Sequence, residues 1–243
     1  MIFQIMQNGL APWQNLILLT ATLITVLVSM TAHEFAHGLV SYIQGDPTAK
    51  RMGRLTINPI KHISPIGFLC MLFCGFGWAK GVPVDTRYYK NAKKGMAITA
   101  LSGPLMNLII GVSTTVSLAT LTFLWNTGMI AGFPVLRYMS ASVYETVNFT
   151  LYIVLYYNLL FAVFNLLPIP PFDGSRLLFA ILPDKHYFKV MRYEFFIMLV
   201  VFLMLWSGMF TGIFEFFVDG IIRLTSNAVF TVLELAVKLF AKI

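Results

Sequence analysis

Residues 16–43 read LILLTATLITVLVSMTAHEFAHGLVSYI, a run of 28 residues whose only formally charged side chain is Glu34. As an α-helix it would extend about 42 Å, more than the roughly 30 Å of a hydrocarbon core. Gly45, Asp46 and Pro47 follow at once and read as a helix stop and turn. This segment is therefore expected to cross a membrane. The 243-residue chain agrees: it is 58% hydrophobic and 11% charged, with a mean hydropathy of +0.79. Soluble domains hold about 45–50% apolar and about 25% charged residues, so a soluble single domain is excluded. The expected class is an all-α membrane protein, a polytopic helical bundle.

Outward from that span, charge sets the topology. The formal net charge is +7, yet residues 44–94 hold nine of the 17 Lys and Arg and only Asp46 and Asp85, and the remainder of the chain is balanced. A basic excess confined to one stretch between apolar segments reads as a loop retained on the cytoplasmic side, so no nucleic-acid partner is expected. Within it, Gly53–Ile57 alternates as a short strand would. Ile63–Trp78 is apolar but has basic clusters on both sides, so a full crossing would export one of them. A re-entrant, partly inserted hairpin is expected, which needs a polar interior nearby. Cys70 and Cys74 lie in this stretch as small apolar fillers or a metal-binding pair, with no disulfide framework implied.

Residues 95–125 and 143–167 read as two further spans, one outward and one returning, joined by an external link carrying only Arg137. Pro168, Pro170 and Pro171 then exclude a continuous helix and force an extended stretch through Asp173 and Gly174. A short helix ends near Pro183, a charged turn follows, and Phe195–Trp206 anchors another span. In residues 214–242, Glu215, Asp219, Arg223 and Asn227 recur every four residues as a polar stripe, so this segment either spans or lies at the interface. The blocks are thus 16–43, a basic segment 44–94, 95–125, 143–183 and C-terminal helices 189–243, within one integral domain. No repeat or separate soluble domain is visible.

The chemistry lies in His33-Glu34-Phe35-Ala36-His37. Histidines four apart on a helix share a face, with a carboxylate one position away, as in zincins. From four His and five Glu, chance supplies about 0.001 HExxH motifs in a chain of this length, so coincidence does not account for it. A lone carboxylate deep in an apolar helix costs several kcal/mol unless a wet or polar site compensates it. By helical rise His37 lies about 9 Å from the Ile43 end, inside the membrane toward the basic, cytoplasmic side. A catalytic zinc site takes a third protein ligand. Asp173, the only acid between Glu145 and Asp184, is the candidate, its other reading being the N-cap of the helix that follows. His62 and His186 sit beside Lys in basic loops and compete less well.

HEFAH in the first span, Ser102-Gly103-Pro104-Leu105-Met106-Asn107 in the third segment and Asn165-Leu-Leu-Pro-Ile-Pro-Pro-Phe-Asp173-Gly174, in that order, resemble the site-2 protease family of intramembrane zinc metalloproteases. The resemblance covers most of residues 16–183. Alone, Gly103-xxx-Asn107 also fits a small-xxx-small helix contact. The resemblance implies one zinc ion per chain bound by His33, His37 and Asp173, Glu34 acting on the zinc-bound water, and Asn107 facing the substrate or the developing oxyanion. It also implies a three-helix catalytic core, a membrane-anchored protein substrate and a multi-pass cell-membrane location. Larger members carry an inserted PDZ-like or CBS-like domain that this chain lacks; residues 63–78 and the punctuation Phe76-Gly-Trp-Ala-Lys80 resemble the minimal prokaryotic members.

Two further expectations follow. A substrate helix hides its carbonyls, so cleavage requires local unwinding, and Arg54–Ile57 or Gly81–Val84 can hold the exposed backbone by strand addition. The rival function is a membrane metal transporter or sensor using the same His and Asp residues, which needs no general base between its histidines.

Overall fold

The computed structural model describes residues 12–74, 77–132 and 140–240. Arg137 and Phe76 lie outside the described residues, as do the side chains of Cys74 and His186. The described chain is helical: α1 (Pro12–Ile43), α2 (Thr48–Arg51), α3 (Pro65–Cys74), α4 (Ala92–Asn126), α5 (Ala141–Asn165), α6 (Gly174–Ile181), α7 (Asp184–Met191), α8 (Glu194–Trp206) and α9 (Thr211–Phe240). Four are long and apolar enough to cross a membrane, over Asn15–Ile43, Ala92–Asn126, Ala141–Asn165 and Thr211–Leu239. Helix α8, at 13 residues, reaches about 20 Å and falls short of a crossing by itself, which corrects the reading of Phe195–Trp206 as the anchor of a span.

Helices α1, α4 and α5 pack pairwise, and α9 lies along α4 and α5. The α4 sequence explains the closeness: Thr99, Gly103, Asn107, Gly111, Thr115 and Ala119 recur every four residues and are all buried. Where lipid is as apolar as any side chain, helices associate through small residues that let backbones approach. Gly111 admits the Leu159 side chain of α5, which would stand 2.6 Å from a Cβ there. Leu155, Leu159 and Val218 close the core between α5 and α9. The polar stripe Glu215, Asp219, Arg223 and Asn227 faces outward on α9, away from this contact.

Between α1 and α4 the chain folds back over the end of the first helix. Gly45 turns at φ +102, and the fully buried Asp46 accepts bonds from Ser41 Oγ at 2.8 Å, Thr48 N–H at 2.9 Å and Asp85 N–H at 2.8 Å. Burial alone would push this carboxyl up; the bonds from Asp85, Thr48 and Ser41 outweigh it and hold it below the ordinary range.

The strand expected at Gly53–Ile57 does not form. Gly53, at φ +64, donates to Lys50 O at 3.0 Å and Arg54 N–H reaches back to Ala49 O at 2.8 Å, which is the Schellman closure of α2 and consumes the backbone a ladder would use. The hairpin does form: Ile63 pairs antiparallel with Ala79, and Lys80 N–H donates to His62 O at 2.8 Å. Ile63 and Ala79 thus bring the two ends of this segment together, and a non-helical strap, residues 77–85, meets α1 where Val82 contacts Glu34 and Gly38.

Candidate metal centre

On α1, His33 and His37 project from one face with Nε2 atoms 3.0 Å apart and rings edge to face, centroids 4.6 Å apart. Asp173 reaches them from 140 residues downstream, its Oδ2 lying 2.9 Å from His33 Nε2 and 3.1 Å from His37 Nε2. It can do so because the three prolines after α5 break the helix and a tight turn, Phe172 N–H to Ile169 O at 3.0 Å, swings the chain back. Asp173 makes no side-chain cap bond to α6; its carboxylate turns to the imidazoles instead.

The far ring atoms fix where the protons sit. His37 Nδ1 is 2.7 Å from the Thr99 carbonyl, which can only accept, so Nδ1 carries the hydrogen. His33 Nδ1 is 3.2 Å from Asn107 Oδ1 and is satisfied in the same way. With those hydrogens on Nδ1, each ring presents its Nε2 to the other ring and to a carboxylate oxygen. These three atoms, all within 4.8 Å of one another and nearly buried, form a set of donors that could hold a metal ion. Two imidazole nitrogens and one carboxylate oxygen are the donor types zinc takes in catalytic sites, with the remaining Nδ1–H groups tied to backbone or amide oxygens.

Helix α4 supplies that outer support through the motif around Gly103. A Cβ at Gly103 would stand 2.5 Å from His37 Nε2 and 2.6 Å from His33 Nε2, so only glycine lets α4 pass behind the rings. One turn before it, Thr99 O also accepts from Ser102 Oγ at 2.6 Å, in a turn where Pro104 interrupts the backbone ladder. One turn after it comes Asn107, fully buried, whose Nδ2 has no partner among the described residues.

Glu34, also nearly buried, accepts the Val82 N–H at 2.7 Å on Oε2, so the strap compensates the carboxylate that the first helix carries into an apolar setting. Glu34, Asn107, Asp173, Val82 and Arg176 line one cavity of about 550 Å³, walled by the apolar faces of α5, α8 and α9.

Residues 21–207 match the pattern of Peptidase family M50. The chain belongs to this family. A protein named "Putative zinc metalloprotease YwhC" from Bacillus subtilis strain 168 is 37% identical over 183 residues, covering 74% of this chain and 78% of that one. "Putative zinc metalloprotease Rip2" from Mycolicibacterium smegmatis is 30% identical over 91 residues, 35% of each chain. No solved structure matches. As an M50 peptidase the chain is a zinc metalloprotease of the membrane, and its cofactor is zinc; a transporter or sensor reading gives way to that family.

The fold brings His33, His37, Asp173, Glu34 and Asn107 to one cavity. His62, read as an exposed loop residue, is instead buried, with Nε2 2.8 Å from Thr56 O; it stands outside the His33–His37–Asp173 cluster. Three contributors escaped the sequence reading: the Thr99 carbonyl, the absent side chain of Gly103 and the Val82 N–H. Of these only Gly103 left a trace, in the Gly-xxx-Asn spacing.

Proposed function

We propose that this M50 metalloprotease hydrolyses peptide bonds in or near the transmembrane segments of membrane-anchored proteins, with His33, His37 and Asp173 as zinc ligands and Glu34 as general base. The observation that carries this reading is the convergence of three potential ligand atoms in the cavity that also holds the Glu34 carboxylate, among helices long enough to cross a bilayer. Zinc, when bound, supplies a Lewis acid that acidifies water and polarises a carbonyl. Glu34 takes the proton of the attacking water and returns it to the departing amine. The Asn107 amide, its oxygen engaged by His33 and its Nδ2 unpartnered, donates to the carbonyl oxygen as charge develops there. With the strand at Arg54–Ile57 gone, Gly81–Val84 is left to align an unwound substrate beside Glu34. The site sits in the Ile43 half of α1, on the side of the basic segment, so cleavage falls toward the cytoplasmic face.

The test is zinc content and cleavage of a single-span substrate by purified wild-type protein and Glu34→Gln. Both are expected to hold one zinc per chain, and the variant to lose hydrolysis by about 10²–10⁴-fold. A Glu34→Gln protein that keeps zinc and cleaves at the wild-type rate would remove Glu34 from the mechanism.

A further inference from the structure

Arg54 lies in the basic loop, outside the zinc ligands and outside the cavity, yet it is only 8% exposed. Burying a guanidinium is costly unless charge or hydrogen bonds compensate it. No carboxylate among the described residues lies within ion-pair reach of it, and its Nε is buried without an acceptor. Its Nη2 makes the compensating bonds, to Lys80 O and, at 3.2 Å, to Gly81 O. The next backbone group along the strap is the Val82 N–H that donates to Glu34.

The loop that carries Arg54 is itself anchored. Arg54 N–H closes α2 through Ala49 O at 2.8 Å, and Ala49 is wholly buried. Ala49, Leu55 and Val82 side chains all crowd the face of α1 at Gly38, one turn beyond Glu34, within 3.6 Å of where a Cβ would stand. From His62 the Lys80 amide is held at 2.8 Å. The strap is thus gripped on its carbonyls by Arg54 and on its Lys80 amide by His62, immediately before the residue that touches Glu34.

We infer that Arg54 is a positioning residue for peptide hydrolysis: by fixing the Lys80 and Gly81 carbonyls it places the Val82 N–H on Glu34 and so holds that carboxylate in its working orientation. This rests on the reading of Glu34 as general base. Both carbonyls are held by the one nitrogen Nη2, so a lysine, whose ammonium also carries several donors on a single nitrogen but on a shorter, more flexible stem, restores the grip in part.

The experiment uses zinc-loaded, full-length protein in lipid nanodiscs, with Arg54→Gln, Arg54→Lys, Val82→Pro, the double variants and Glu34→Gln. Zinc content is expected to stay at one per chain in all of them. Arg54→Gln is expected to lower kcat/KM at least tenfold, with Arg54→Lys intermediate, and to speed amide hydrogen exchange in residues 80–84 at least tenfold. Val82→Pro removes the N–H outright, so adding Arg54→Gln to it is expected to cost less than a further threefold, the non-additivity of groups acting in series. Should Arg54→Gln fail to accumulate, Arg54→Lys with Val82→Pro completes the same cycle. Unchanged exchange in the strap, or losses that multiply in the double variant, would overturn the inference. Glu34→Gln separates the two failures: if it is inactive while Arg54→Gln is fully active, only the role of Arg54 falls, whereas an active Glu34→Gln sinks the general-base reading itself.

Discussion

A methyl group at position 103 would meet both imidazoles, at 2.5 Å from His37 Nε2 and 2.6 Å from His33 Nε2. Real Cβ atoms do not tolerate such contacts, and neither side can yield cheaply: the rings are tethered through Nδ1 to Thr99 and Asn107, and α4 is packed along α1 and α5. Intrinsic propensity argues the other way, since alanine is favoured over glycine inside a helix by about 1 kcal/mol. The opposition makes Gly103→Ala diagnostic. Its helix content by circular dichroism is expected to equal that of wild type, while zinc bound at fixed free zinc falls at least tenfold. Full zinc occupancy in this variant would mean that the rings face away from α4 when loaded.

Among the elements, the long helices were the legible part, because an apolar run bounded by Gly, Pro or charge announces itself within one stretch of chain. The paired histidines were legible for the same reason, a spacing of four on one helix. What could not be read was whatever depends on a neighbour distant in sequence. Alternation at Gly53–Ile57 is common to a strand and to a capped helical turn, and five residues do not distinguish them; the Arg54 N–H to Ala49 O bond does. Asp46 read only as a turn residue, yet it joins the end of α1 to the strap through Asp85. Its carboxyl is held below the ordinary value by those hydrogen bonds despite burial, so the bonds favour the charged form. The stabilisation is complete above the unfolded value of about 3.9 and is lost as pH falls through the lower folded value. Thermal unfolding is therefore expected to be insensitive to this group from pH 7 to about 4 and to weaken below. In Asp46→Asn that acid-side loss disappears, and stability at pH 7 drops by about 2–3 kcal/mol, the worth of charge-assisted bonds. An unchanged acid limb in Asp46→Asn would assign the loss to other carboxylates.

For the whole molecule, contact between His37 and Asp173 constrains topology. His37 lies six residues before the end of α1 and Asp173 eight residues after the end of α5, and their side chains touch at 3.1 Å. Both helices therefore end on the same side of the bilayer, and α4 must cross in the opposite sense between them. Charge then assigns the side. Residues 44–94 and 166–210 share the face where α1 and α5 end, and together they hold thirteen of the 17 Lys and Arg, against Arg137 alone in the link between α4 and α5. By the retention of positive loops, the thirteen are expected in the cytoplasm and Arg137 outside. Among the described residues four helices are long enough to cross, and α8 is too short to add a fifth by itself. The arrangement is checked with single cysteines at Lys90 and Thr127 in a background where Cys70 and Cys74 are replaced by serine. A membrane-impermeant maleimide is expected to label Thr127→Cys in intact cells and Lys90→Cys only after permeabilisation. The reverse pattern would invert the molecule and move the proposed catalytic cavity to the outer half of the membrane; labelling of both in intact cells would break the helix order on which the meeting of His37 and Asp173 depends.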